Sequence, residues 1–255
     1  MTTPPASSIR RRLLGVTVLL LLCVGGYYGY AFGSKAYAIA NPVKNILPLP
    51  ASHVGLSTDA GAALLSDSVR ADYASLMKVF KAQQYRSYCG VATGVIAVNA
   101  LNADEVMTQD DWFTDAVSAH RTRWKTFFGG MTLAEFSGMI RANGLSAAHT
   151  HGGAGTLDSF RTLVQRNMAQ PDDLLVINYS RKSLEQKGWG HFSPVAAYHA
   201  ESDRVLILDV GAHKYEPSWV GLKALWAAMA TPDSDSGKNR GYVVIDRVKE
   251  TRGAP

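Results

Sequence analysis

The sequence predicts an α+β domain behind an N-terminal apolar segment. Three observations carry that expectation. Helical periodicity fills the first two thirds of the chain, short β-rich runs crowd into the last third, and three arginines precede twenty uncharged residues. A chain of 255 residues, 47% of them hydrophobic, can bury one sizeable core.

The N-terminal segment is read first. Arg10, Arg11 and Arg12 stand before Leu13–Phe32, a basic region followed by an apolar stretch, as in an export signal or a membrane anchor. Ala36-Tyr37-Ala38 is a candidate cleavage site, so residues 1–38 form a segment that is either removed or retained. In both cases the arginines stay inside and the body of the chain is exported, periplasmic or extracytoplasmic. Cys23 has Leu22 where a lipid-attachment site wants a small residue. Residues 39–58 contain Pro42, Pro48 and Pro50 and read as a linker or extended lead-in. The catalytic domain is expected over residues 59–250.

Within that domain, Val69, Tyr73, Leu76, Met77 and Phe80 are spaced for a helix over 67–81. Cys89–Leu101 is apolar nearly all round, with small residues where close packing is needed, and predicts a buried central helix. Thr132-Leu133-Ala134-Glu135 is a capping box whose helix ends at Gly144. A further amphipathic helix is expected over Leu157–Met168. Short β-rich runs follow at Leu174–Tyr179, Phe192–His199, Val205–Val210 and Tyr242–Asp246, with a helix near Gly221–Met229 between the last two. Helices first and a mostly antiparallel sheet afterwards make the α+β class.

Charge excludes one function class. The net charge of +5 includes the three N-terminal arginines, which leaves +2 for the rest. Only Lys238, Arg240, Arg247, Lys249 and Arg252 approach a basic cluster, and Asp246 and Glu250 interrupt it, so no nucleic acid is expected as a partner. His149-Thr150-His151 lacks a neighbouring cysteine or carboxylate to complete a zinc ligand set and reads as a flexible loop.

The chemistry centres on the one cysteine of the folded body. Cys89 at a helix start meets unpaired N–H groups and the helix dipole, which favour a thiolate. Gly188-Trp189-Gly190-His191-Phe192-Ser193-Pro194 puts a histidine at a strand entrance, with Gly188 and Gly190 leaving room for a ligand. The next β run ends in Leu208-Asp209-Val210. His191 and Asp209 are therefore expected to meet across a hairpin, giving nucleophile, base and orienter. Gln83 is a candidate oxyanion donor beside the Cys89 N–H. Taken singly, each of these residues has an ordinary structural reading; together they form a constellation.

Gln83–Leu101 with its Tyr88-Cys89-Gly90 core resembles the nucleophile segment of the phytochelatin synthase family. Gly190–Pro194 with Tyr198-His199 resembles that family too, as do Leu206–Val210, Lys214-Tyr215, Pro217 and Trp219-Val220. The resemblance covers about residues 46–247. It implies a papain-like fold, a Cys89–His191–Asp209 triad, Gln83 in the oxyanion hole and glutathione as acyl donor. Related γ-glutamyl thiol peptides are further expected partners, membrane association runs through residues 13–32, and a homodimer is left open. No cofactor is implied as required; cadmium and zinc ions enter as activators or as metal-thiolate substrate rather than through a built-in site. Glutathione also needs a cation for a carboxylate, and Arg181 is the candidate, with Gly190 beside it as a substrate-binding position. The chain ends soon after the catalytic domain and lacks the cysteine-rich extension of plant members, so hydrolysis with weak transpeptidation is expected. Two rivals stand beside this reading: a C39-like or other papain-like peptidase, and a catalytically dead binding or metal-sensing module.

Overall fold

A computed structural model describes residues 6–102 and 106–248. The side chains of Arg10, Arg11 and Arg12, and all of Lys249, Glu250 and Arg252, lie outside the described residues. The chain divides into two compact units, 1–41 and 42–255.

The first unit is one helix, α1 (Ala6–Ala40). Its Thr17–Ala40 stretch is long and apolar enough to cross a membrane, a test that an N-terminal signal sequence also passes. The candidate cleavage residues Ala36–Ala38 lie within this helix.

The second unit is built on a seven-stranded sheet of order β1-β6-β5-β4-β3-β7-β2. Its strands are β1 (Val54–Gly55), β2 (Leu145–His151), β3 (Asp173–Ser180), β4 (Gly190–His199), β5 (Arg204–Ile207), β6 (Ser218–Gly221) and β7 (Gly241–Arg247). Every pairing is antiparallel. The helices are α2 (Asp59–Ser66), α3 (Tyr73–Val79), α4 (Cys89–Leu101), α5 (Asp115–Ser118), α6 (Arg123–Gly129), α7 (Leu133–Ala142), α8 (Leu157–Ala169) and α9 (Leu222–Met229). The α+β class is as the sequence predicts.

Alternation along β3 explains the layering. Leu174 and Val176 enter the core shared with α4 and α7. Leu175, Ile177 and Tyr179 enter the core shared with α8 and α9. A strand buried on both faces needs apolar residues at every position, which is the run the sequence supplies. In β4 a register irregularity between Val195 and Ala197 interrupts the alternation, and Ala196 and Ala197 both join the α4 side.

The central helix spans the predicted residues, and its glycines matter for a steric reason. A Cβ on Gly94 would lie 2.3 Å from the Trp112 ring, and one on Gly90 2.6 Å from Met131 Sδ. The capping box at Thr132 is formed with both reciprocal hydrogen bonds, and Gly144 follows the helix at φ 81°.

Two expectations are corrected. The helix predicted over 67–81 is only α3, because Val69 instead makes a β-bridge to Tyr198. A separate α2, capped by Thr58, precedes it. The His149-Thr150-His151 loop is the end of β2, paired in register with β7. Of the two readings of residues 39–58, the extended lead-in describes 42–55: the Asn45 and Leu47 N–H groups donate to the carbonyls of His213 and Lys214, and Val54–Gly55 pairs with β6.

Candidate active site

Cys89 is the first residue of α4. The helix is buried along nearly its whole length, so its N-terminus is fixed by packing rather than by a side-chain cap, of which Tyr88 supplies none. A cavity of about 360 Å³ opens beside it, lined by Cys89, His191, Asn178, Trp189 and Arg240 among others. That volume lies within the roughly 300–1,000 Å³ range of small-molecule sites.

His191 enters from β4, opposite Tyr179 of β3, whose ring meets the imidazole edge-to-face at 5.7 Å. Asp209 follows β5, where the Leu208 N–H still donates to Pro194 O. The pairing brings His191 Nε2 within 2.8 Å of Asp209 Oδ1. With Nε2 bound to the carboxylate, Nδ1 is the nitrogen left for the cavity.

Asp209 Oδ1 also accepts from Arg181 Nη2 at 2.7 Å and from the Gly211 N–H at 2.8 Å, while Oδ2 is buried without a partner. Arg181 is 4% exposed, gives Nη1 to Gln186 Oε1 at 2.7 Å and lies over the Tyr215 ring. Arg181, expected as a cation for a substrate carboxylate, is thus ion-paired with Asp209 while also lining a cavity with Gln83 and Lys214. Its guanidinium is nearly buried against the Asp209 carboxylate. Gly188, at φ 136°, turns the loop that returns from Arg181, and the Arg181 N–H donates to Trp189 O. A Cβ on Gly188 would meet Arg181 Cδ at 2.8 Å.

Gln83 lies on a second cavity of about 310 Å³, with Arg86, Arg181, His191, His213 and Lys214. Its backbone N–H donates to Val210 O, which holds the segment against Asp209. The side-chain nitrogen donates to Tyr85 O and Arg86 O at 2.8 Å each, and Oε1 is buried without a partner. Gly190 borders both cavities; a Cβ there would meet Arg240 Nε at 2.9 Å.

Burial and neighbouring charge set the protonation states. For Asp209, burial alone would raise the carboxyl, but Arg181 and His191 outweigh it and hold it well below the ordinary range. His191 is lowered to about 4, by burial first and then by the Arg181 charge, against the pull of Asp209. The helix start was expected to depress the Cys89 thiol. The Phe192 and Gly90 N–H groups act in that direction, yet burial is larger and the thiol is pushed up. At neutral pH His191 is therefore a neutral imidazole backed by an ionised Asp209–Arg181 pair, on a cavity wall it shares with the half-buried Cys89.

Sequence reasoning missed Arg86 and His213 as cavity residues, and noted Trp189 and Lys214 only as parts of motifs. Trp189 is 90% exposed, and an indole left in water between two cavities is a signal that only the structure carries.

A family model for phytochelatin synthase matches residues 44–242. Glutathione gamma-glutamylcysteinyltransferase 3 of Lotus japonicus is 33% identical over 220 residues, 83% of this chain and 46% of that protein. Glutathione gamma-glutamylcysteinyltransferase 1 of Arabidopsis thaliana is 29% identical over 218 residues, 82% and 45% of the two chains. The glutathione gamma-glutamylcysteinyltransferase of Schizosaccharomyces pombe is 30% identical over 198 residues, 75% and 47%. The chain thus spans about half the length of the curated relatives it matches.

Proposed function

Because the chain belongs to the phytochelatin synthase family, we propose that it cleaves the Cys–Gly amide of glutathione through a γ-glutamylcysteinyl thioester on Cys89. The observation that carries this reading is the His191–Asp209 hydrogen bond on a cavity wall shared with Cys89. A papain-like arrangement accounts for it: nucleophile on a buried helix start, base and orienter on the sheet.

The steps follow from the protonation states. His191 Nδ1 takes the thiol proton as Cys89 Sγ attacks the cysteinyl carbonyl carbon, so a thiolate need not pre-exist. Asp209 holds the imidazole in the tautomer that leaves Nδ1 open and stabilises the imidazolium that forms. Arg181 keeps Asp209 ionised for that task. The tetrahedral oxyanion meets the Cys89 N–H, one of the unpaired groups of a helix start. Gln83 joins it if its amide releases one of the two carbonyls it now serves. The C–N bond then breaks, the imidazolium gives its proton to the departing glycine amine, and the thioester remains. Water resolves it by the same base, releasing γ-glutamylcysteine; the amine of a second glutathione would extend the peptide instead. Heavy-metal ions enter as thiolate partners of the substrate.

A C39-like peptidase is set aside by the family match. Against a dead module stands the hydrogen-bonded acid–base pair. The test is incubation of the full chain with glutathione under reducing conditions, followed by free-glycine assay and mass spectrometry of the trapped protein. Glycine release and a γ-glutamylcysteinyl adduct on the Cys89 peptide are expected, both absent in Cys89→Ala. Glycine released at an undiminished rate by Cys89→Ala would remove the nucleophile.

A further inference from the structure

At the opposite end of β4 from His191, three metal-ligating side chains converge. His199 ends the strand, Glu201 lies in the turn after it, and Asp67 caps the C-terminus of α2. One ligand atom from each lies within 4.8 Å of the others, and among the described residues no other trio of histidine, cysteine and carboxylates does so. Backbone bonds build the juxtaposition. Val69 N–H donates to Tyr198 O at 3.0 Å and Tyr198 N–H returns to Val69 O at 2.9 Å, which fixes the Asp67 segment beside the strand end.

His199 is aimed rather than free. It is 7% exposed, and its Nδ1 lies 2.8 Å from Ser202 Oγ. With the proton on Nδ1 and donated to that hydroxyl, the Nε2 lone pair points to the carboxylates. In the other tautomer the Ser202 N–H donates to Nδ1 at 3.2 Å and Nε2–H faces Asp67 Oδ2. That Nε2···Oδ2 separation is 3.5 Å. A charge-assisted hydrogen bond closes to about 2.7–2.9 Å, so the pair is loose as an ion pair. It is close to the edge of a tetrahedron of N and O ligands at about 2.0–2.1 Å from zinc, which is about 3.3–3.4 Å. Among the described residues neither carboxylate accepts a hydrogen bond, and Asp67 has only the loose His199 contact.

We propose that His199, Asp67 and Glu201 bind a divalent cation of the zinc class, leaving the fourth position to water. One imidazole with two carboxylates suits zinc better than calcium or magnesium, which prefer all-oxygen shells. The ion would clamp the end of α2 to the β4–β5 hairpin, and the second-shell hydroxyl of Ser202 would select the binding tautomer.

The test uses the full chain carrying Cys89→Ala, so that the catalytic thiol contributes no binding. Cobalt absorption titrations, zinc competition and thermal melts are compared with the same chain carrying Asp67→Asn and Glu201→Gln. Both of these residues are exposed, and the amides keep their shapes, so folding is retained. One bound equivalent is expected, with the melting point raised ~5–10 °C when zinc is about a hundredfold above its Kd. The double substitution should weaken binding by about tenfold or more. Absence of a cobalt spectrum and of a thermal shift would overturn the proposal. So would equal affinity in the doubly substituted chain, which would put the ion elsewhere.

Discussion

Acid should destabilise this protein through His191, by an amount that the site itself sets. The imidazole titrates near 6.5 in an unfolded chain and at about 4 in the fold. Between those values the unfolded chain holds a proton that the folded chain refuses, so stability falls as pH falls from about 6.5 to about 4. The full window is worth about 3 kcal/mol at about 1.4 kcal/mol per pH unit, and at pH ~4.5 most of it, about 2.5 kcal/mol, is already lost. The residue is 5% exposed, so solvent screening does little to reduce this. Urea melts of the full chain and of His191→Gln, each run near neutrality and near pH 4.5, read the effect, because Arg181 still holds Asp209 low in the variant and the other titrating groups are common to both. With m in the range of about 1–3 kcal/mol/M, the wild-type midpoint should drop roughly 1 M further than that of the variant. Equal drops would mean that the imidazole is not held neutral, and the proton-transfer step derived from its neutrality would go with it.

Three further outcomes are expected. Asp209→Asn should lower glycine release by about two to four orders of magnitude, as disturbing a triad's orienting acid does; a loss under tenfold would make another group the orienter. Arg181→Gln should destabilise the chain by about 3–5 kcal/mol, because it leaves the Asp209 carboxylate buried beside only His191 and a backbone N–H. Arg181→Lys should cost less, and equal denaturant midpoints for the two would sink the pairing argument. Gly94→Ala should cost about 1–3 kcal/mol by overpacking against Trp112, read as a lowered melting point at unchanged secondary structure.

What the sequence revealed and what it hid divide along a physical line. Cys89–Leu101 was legible because a helix apolar on every side has only an interior to go to. The strand runs around His191 and Asp209 were legible because burial on both faces demands continuous apolar residues. The edge strand Leu145–His151 was not, since its histidines and threonine carry no alternation that distinguishes a solvated edge from a loop. The helix predicted over 67–81 failed at Val69, where spacing suggested a turn of helix and a partner more than a hundred residues away supplied a β-bridge. Arg181 shows the same limit in the site. Its charge suggested a ligand, and the ion pair with Asp209 was hidden because it depends on the loop closed by Gly188, which no local pattern encodes. The depressed thiol expected at Cys89 likewise rested on the helix end alone and left out the depth of the pocket.

The strap at Asn45 and Leu47 decides how much of the N-terminal region the cation-rich cavity depends on. Its two donors hold the peptide carbonyls of the residues that furnish the imidazole and ammonium of the cation-rich cavity. A cut after Ala38 would leave both donors in the chain. Trimming to residue 59, by contrast, would strip that cavity of its backing and release the outermost strand of the sheet with it.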